Sequence, residues 1–447
     1  MMKLDQRHIQ HLLLRCGFGD SYSVIRKYVN QPADKIFTSL LEESKQPRVV
    51  SLEAARESSK DEGGSKESMQ SSGKQGRKNV RTLNTLWIKE MSTSPANINE
   101  KMAYFWHDHF ACRSNYSHFM QQYLDVIRTH ALGNFGTLLR SVSKSAAMLQ
   151  YLNNRQNKKA APNENFAREV MELFTLGRDQ HYSEKDISEA ARAFTGWNFY
   201  KNGKFTMNEK THDNGQKVIL GQSGNFDGDE VIDMLLSMQQ TSLYISKKWV
   251  RYFMNYKGNA ALENRIADKL YESNYDIKTG LNVLFTSPEF YEASNIGSRI
   301  KSPIELIVGM QRQLGIAIKD EESLLYLQRM LGQTLFDPPN VSGWPDGKEW
   351  VDSSSLLFRI TLPELIFKAA TIKNMPDASF DDNDKFKLSG KLKRIETNLN
   401  LKALEQAFQS DDLGRFLCQV PVNDDQKPFN LLDQIVYYTS RPEFQLC

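Results

Sequence analysis

The stretch Pro162-Asn-Glu-Asn-Phe-Ala-Arg-Glu-Val-Met-Glu-Leu-Phe-Thr-Leu-Gly177 carries helix signals at both ends and along its length. Proline suits an early helical position, where its missing N–H is not needed, and glycine suits a left-handed stop. Between them Ala167, Val170, Met171 and Phe174 fall on one arc. Glu164, Arg168 and Glu172 form an i, i+4, i+8 stripe on the other, flanked by Asn165 and Glu169. The same period returns in Tyr244-Ile-Ser-Lys-Lys-Trp-Val-Arg-Tyr-Phe253, where Ile245, Trp249 and Tyr252 lie beside Tyr244, Lys248 and Arg251. Ser183 and Asp186 mark another helix start as cap and box residue. The region that reads as strand runs from Lys204 to Leu220, with turn signals at Asn202-Gly203 and Asn214-Gly215 and a β-rich Lys217-Val-Ile-Leu220. The expected fold is mainly α, a large multi-helix array or bundle with one small inserted β-hairpin.

The 447 residues are enough for a sizeable core, and 57 Lys+Arg against 54 Asp+Glu leave a formal charge of +3. That balance argues against a nucleic-acid partner, which needs a basic face. Cys16, Cys112, Cys418 and Cys447 are scattered with no CxxC pair, so neither a disulfide scaffold nor a thiolate zinc knuckle is expected. No window approaches the ~20 apolar residues of a transmembrane segment. The amino terminus enters charged residues at once, so no secretory leader is read there and a cytoplasmic location is expected. Residues 44–78 are rich in Ser, Gly, Lys and Glu and read as a disordered insertion. Residues 374–390 read as a linker, leaving 1–43 and 79–373 as the main helical body and 391–447 as a carboxy-terminal helical segment packed on it.

Four places carry side chains suited to chemistry. The run Phe105-Trp-His-Asp-His-Phe110 holds His107 and His109, which lie ~200° apart on a regular helix and so cannot share one metal unless the helix unwinds. The Glu164, Arg168, Glu169 and Glu172 group is either a solvated ion-pair face or a carboxylate cluster for a divalent ion or acid–base work. The loop Thr211-His-Asp-Asn-Gly-Gln-Lys217 presents His212, Asp213 and Lys217. Leu335-Phe-Asp-Pro-Pro-Asn-Val-Ser-Gly-Trp-Pro-Asp-Gly-Lys-Glu-Trp350 is a Pro/Trp loop, either a plug over the core or the rim of a pocket. No Walker loop, dinucleotide fingerprint, GxSxG elbow or HExxH helix is present.

Taken in order, these words resemble the bacterial family known as domain of unknown function 1800. The resemblance runs from His11-Leu-Leu-Leu-Arg-Cys-Gly-Phe-Gly19 through the segments above, with Thr195-Gly-Trp197, Lys301-Ser-Pro303 and Glu305, and Pro338-Pro-Asn-Val-Ser-Gly-Trp344, to Pro442-Glu-Phe-Gln445. It implies that the histidine, glutamate and His212-Asp213 words belong to a family pattern. It also implies a periplasmic or envelope location and a sulfatase-like or phosphatase-like partner, whereas this chain lacks the leader that many relatives show.

Two functions follow as expectations. One is an enzyme in which His107, His109, Glu164, Glu169, His212 and Asp213 do general acid–base or hydrolytic work in a helical cleft. Arg168, Lys217, Asn340, Trp344 and Trp350 would hold the substrate, and His107, Glu169 and Glu172 a divalent metal ion. The other is a non-catalytic binding or assembly protein whose Pro/Trp loop meets a protein or glycan partner.

Overall fold

The computed structural model describes residues 3–53, 73–368, 394–408 and 412–447, and helices dominate them. The central element is the helix Asn97–His109, in which every residue except Asp108 is buried. Met102, Phe105 and Trp106 share one apolar face, and since the polar residues opposite are buried too, the helix runs through the core. Two of its charges, Glu100 and Lys101, are paired inside. Glu100 accepts from the Trp87 indole at 2.8 Å and from Arg128 at 2.6–3.2 Å, and Lys101 pairs with Glu305 of the helix Pro303–Leu314.

The predicted helix over 162–177 is present but starts later. Asn163 Oδ1 accepts from Asn165 N–H, the α-helix runs Asn165–Glu169, and Val170–Leu176 continues it as a π-helix. Pro162 lies ahead of the helix, and Gly177 ends it at φ +88°, with ψ 157° outside the left-handed helical well. Gln239–Trp249 ends in the same way, passing into a π-helical turn over Val250–Met254.

The expected β insertion is in place, but its strands pair outward. Phe205–Met207 pairs back with Trp197–Phe199, and Lys217–Ile219 pairs forward with Gln222–Gly224, both antiparallel. The second turn falls at Leu220-Gly221, both with positive φ, and not at Asn214-Gly215. That loop is held instead by the helix Glu184–Ala193, whose Glu189 and Asp186 accept from the N–H groups of Val218 and Leu220.

Order reaches further into 44–78 than its composition predicts. Val50 and Leu52 are buried, Leu52 N–H donates to Gln121, and the helix Gly73–Thr93 begins inside the stretch. Residues 54–72 and the expected linker at 374–390 lie outside the described residues. The carboxy-terminal piece touches the body at several points: Gln10 donates to the carbonyls of Arg415 and Phe416, and Lys301 donates to that of Phe444.

Candidate functional site

The three polar residues of the Phe105–Phe110 run each have their own partners, two of them in the 335–350 loop. His107 is fully buried; its Nε2 accepts from Phe336 N–H at 3.0 Å, and its Nδ1 faces the Tyr123 hydroxyl at 3.4 Å. Nε2 therefore carries a lone pair, and burial lowers the imidazole's pKa to about 3, so the ring is neutral. It sits among the rings of Trp87, Phe336 and Trp344.

His109 donates from Nε2 to the Phe174 carbonyl at 3.2 Å and accepts at Nδ1 from Lys248 Nζ at 2.9 Å. Phe174 belongs to the last turn of the Val170–Leu176 π-segment, where backbone carbonyls have run out of helical partners. Side chains supply them: Tyr244 serves Leu173, His109 serves Phe174 and Gln240 serves Leu176. Burial, reinforced by the Lys248 ammonium, holds the His109 pKa well below its ordinary value.

Asp108, the partly exposed residue of this helix, accepts from Trp344 N–H at 2.9 Å. Burial pushes its carboxyl up to about 6, against the Trp344 hydrogen bond and Lys248, while Asp346 pushes it further up. Burial in turn lowers Lys248, and Asp108 opposes that shift. Asp346 is held by Arg251 through two hydrogen bonds of 2.9 and 3.2 Å. An acid that titrates near neutrality thus stands beside an ammonium and a second carboxylate. None of Asp108, Lys248, Arg251 and Asp346 stands among the expected site residues, although Lys248 and Arg251 share a helical stripe in the sequence. The available signal was one acidic residue in an otherwise aromatic and histidine-rich run.

The Pro/Trp loop is packed against that run as a plug. Trp344 and Trp350 are only 9% and 5% exposed, too deep for the pocket rim that was one expectation. Asn340 closes a local turn by accepting from Ser342 N–H. Gly343 lies at φ +88°, and a Cβ there would collide with the Asp108 carboxylate and carbonyl.

The glutamate stripe forms a surface ion cluster. Arg168 bridges Glu164 at 3.1 Å and Glu172 at 3.3 Å and takes Glu184 with both arms at 2.9 and 2.7 Å; Glu172 also meets Arg178. Glu169 is half-buried, and burial with the neighbouring Glu172 raises its pKa. Among the described residues no three His, Cys, Asp or Glu side chains are arranged to hold a metal ion. The expected His107, Glu169 and Glu172 set is not such an arrangement: both His107 nitrogens face protein groups in the core, and Glu172 serves two arginines.

The His212-Asp213 loop is a separate clamp. Asp213 takes Arg192 at 2.8 and 3.3 Å, His212 Nδ1 donates to the Thr195 carbonyl at 2.8 Å, and buried Lys217 donates to Asp213 O, Gly215 O and Asn225 Oδ1. With its ammonium so engaged, Lys217 has no donor aimed at a substrate. Glu184, on Arg168, and Arg192, on Asp213, are eight residues apart on one helix, which at 1.5 Å per residue separates the two clusters by about 12 Å. The expected sites therefore lie in distinct places rather than in one cleft. Two surface cavities of about 530 and 660 Å³ meet at His181 and Met238, away from Asp108.

Fold and site together define a mainly helical protein built round a buried, histidine-bearing helix, with an acidic and a basic group where that helix comes nearest the surface. The chain belongs to the family described as protein of unknown function DUF1800, whose model matches residues 11–446. No curated protein and no solved structure matches it. No helix among the described residues is long and apolar enough to cross a membrane.

Proposed function

We propose that the protein is an enzyme in which Asp108 gives and takes a proton on a polar, hydrolysable substrate. The observation that carries this reading is the placement of Asp108, partly exposed on an otherwise buried helix beside Lys248, where burial raises its carboxyl to about 6. An acid poised near the working pH is populated in both protonation states, which proton transfer requires. Lys248 would hold an anionic group of the substrate, and Arg251 keeps Asp346 in place beside it. The test is a panel of p-nitrophenyl esters, phosphates, sulfates and glycosides assayed across pH. Turnover with a limb near the Asp108 pKa, abolished in a folded Asp108→Asn variant, is the expected result. No turnover on any of them, or turnover that Asp108→Asn leaves intact, overturns the reading.

A binding role without catalysis draws on a different observation. The two cavities joined at His181 and Met238 are lined by Ser183, Gln222, Gln239, Gln240 and Asn264, donors and acceptors suited to a glycan or an extended peptide. Glycan-array binding that His181→Ala removes and Asp108→Asn spares would favour it.

A further inference from the structure

The Lys301-Ser-Pro303 and Glu305 words lie in a second charged region, far more deeply buried than the Asp108 site. Five basic side chains gather there: Arg15 from the helix Gln6–Cys16, Lys101, Arg299, Lys301, and Arg359 from the helix Ser353–Phe367. None is more than 3% exposed. Glu305 acts electrostatically on all five, and Cys447 acts on four of them. The five cations outnumber these two acidic groups. Unpaired charge in a protein interior is among the most costly arrangements a fold can hold, and deprotonation relieves it only in part, since guanidinium groups keep their protons.

Hydrogen-bond capacity tells the same story as charge. Arg15 uses Nη2 on Asn295 O and Ser298 Oγ, while its Nε and Nη1 are buried with no protein partner. Arg299 has a buried, unpartnered Nε, and its guanidinium lies 4.9 Å from the ring centre of Tyr252 and 5.2 Å from that of Tyr256. Both tyrosines are partly exposed, but their hydroxyl oxygens are buried and also unpartnered. Arg15 lies within electrostatic reach of Arg299 and Tyr256. Five donor atoms on four side chains thus stand without acceptors in one positively charged region, beside two partly exposed tyrosines. Buried polar groups are rarely left so, and a set this rich in donors calls for an acceptor with several lone pairs and negative charge.

We propose that Arg15, Arg299, Tyr252 and Tyr256 form an internal site for a tetrahedral oxyanion, a phosphate or sulfate group. The two guanidiniums offer the N–H groups that such oxygens accept, and the tyrosine hydroxyls complete the shell. Entry is past the Tyr252 and Tyr256 rings. The occupant neutralises the cations that hold the amino-terminal helix, the Arg299–Glu305 segment and the carboxy-terminal turn together, so binding is coupled to the stability of the whole assembly.

The test is thermal unfolding of the full chain in phosphate, sulfate, phenyl phosphate and chloride at matched ionic strength, with ion chromatography of the purified, denatured protein. Saturable stabilisation by phosphate or sulfate, roughly 3–6 °C at a hundredfold excess over half-saturation, supports the site, as does release of one oxyanion per chain. An equal response to phenyl phosphate assigns the site to esterified groups as well as free ions, and no response to it confines the site to the free ion. Arg299→Met removes a charge that Glu305 also uses, so Tyr256→Phe carries the side-chain test. It keeps the ring and is expected to weaken oxyanion binding about tenfold. Chloride acting as strongly as phosphate, no stabilisation together with no released ion, or an unchanged affinity in Tyr256→Phe overturns the proposal.

Discussion

Lys248 Nζ donates to His109 Nδ1 at 2.9 Å, an ammonium hydrogen-bonded to an imidazole that is neutral because it is buried. The contact aims the ammonium from one helix at the end of another, beside Asp108, whose carboxyl it holds down electrostatically. Removing that charge in Lys248→Met is expected to raise the Asp108 midpoint above about 6. Carboxyl-carbon NMR titration of the two proteins reads the shift, and a midpoint that stays put or falls contradicts the pairing.

Asp108→Asn tests the cost of the same acid to the fold. A carboxyl raised from 3.8 to about 6 favours the folded state when protonated, so its contribution is full below 3.8 and lost as pH rises through about 6. Asparagine keeps an acceptor for Trp344 N–H and carries no charge. The variant is expected to be more stable than the parent by roughly 1–2 kcal/mol at about pH 8, with the difference vanishing by about pH 4. Urea melts at the two pH values check this, and a variant that is less stable at high pH counts against a costly carboxylate.

His107→Phe keeps an aromatic ring in the cluster but leaves Phe336 N–H without an acceptor. A loss of roughly 1–3 kcal/mol is expected, with faster amide exchange at Phe336. The parent should also lose stability as pH falls from 6.5 towards about 3, because a histidine whose folded pKa is lowered stabilises the fold only while neutral. Phenylalanine removes that part of the acid sensitivity.

Gly343→Ala places a methyl group against Asp108 at a positive φ. The change is expected to cost about 2 kcal/mol or more and to lift the 335–350 loop from the Asn97–His109 helix. Tryptophan fluorescence should report Trp344 moving toward water. An unaltered spectrum and melting curve would mean that the loop is not anchored there.

Glu305→Gln breaks the Lys101 pair and removes a carboxylate that acts on five buried cations. A destabilisation of roughly 3–5 kcal/mol is expected. The Lys101 and Arg299 charges hold this carboxyl at about 2 despite its burial, against an ordinary 4.5. Its contribution is therefore present above 4.5 and lost as pH falls towards about 2, worth about 3 kcal/mol. Acid unfolding of the variant should lack that component.

Much of the fold is legible in local pattern because helices write their burial into short periods. Ala167, Val170, Met171 and Phe174 all face the core as their spacing predicts, and Ser183 with Asp186 forms the expected capping box. The β insertion is legible as a place but not as a pairing, since three-residue strands leave register and partner to the surrounding helix. The π-turns at Val170–Leu176 and Val250–Met254 are illegible in sequence. Each depends on outside donors or packing that reward a widened turn.

The candidate sites divide along the same line. Residue type and spacing identified His107, His109, Glu172 and Asp213 as polar groups in suggestive company, and that was determined by sequence alone. What each one touches was decided only in the tertiary structure. His107 and His109 are two positions apart, yet one is spent on Phe336 and the other on Phe174 and Lys248, while Asp108 between them keeps a charge that can change near neutrality. The physical reason is that a pKa depends on desolvation and on charges brought from distant parts of the chain. Lys248, Trp344 and Asp346 reach Asp108 only through folding, and no local spacing encodes their arrival.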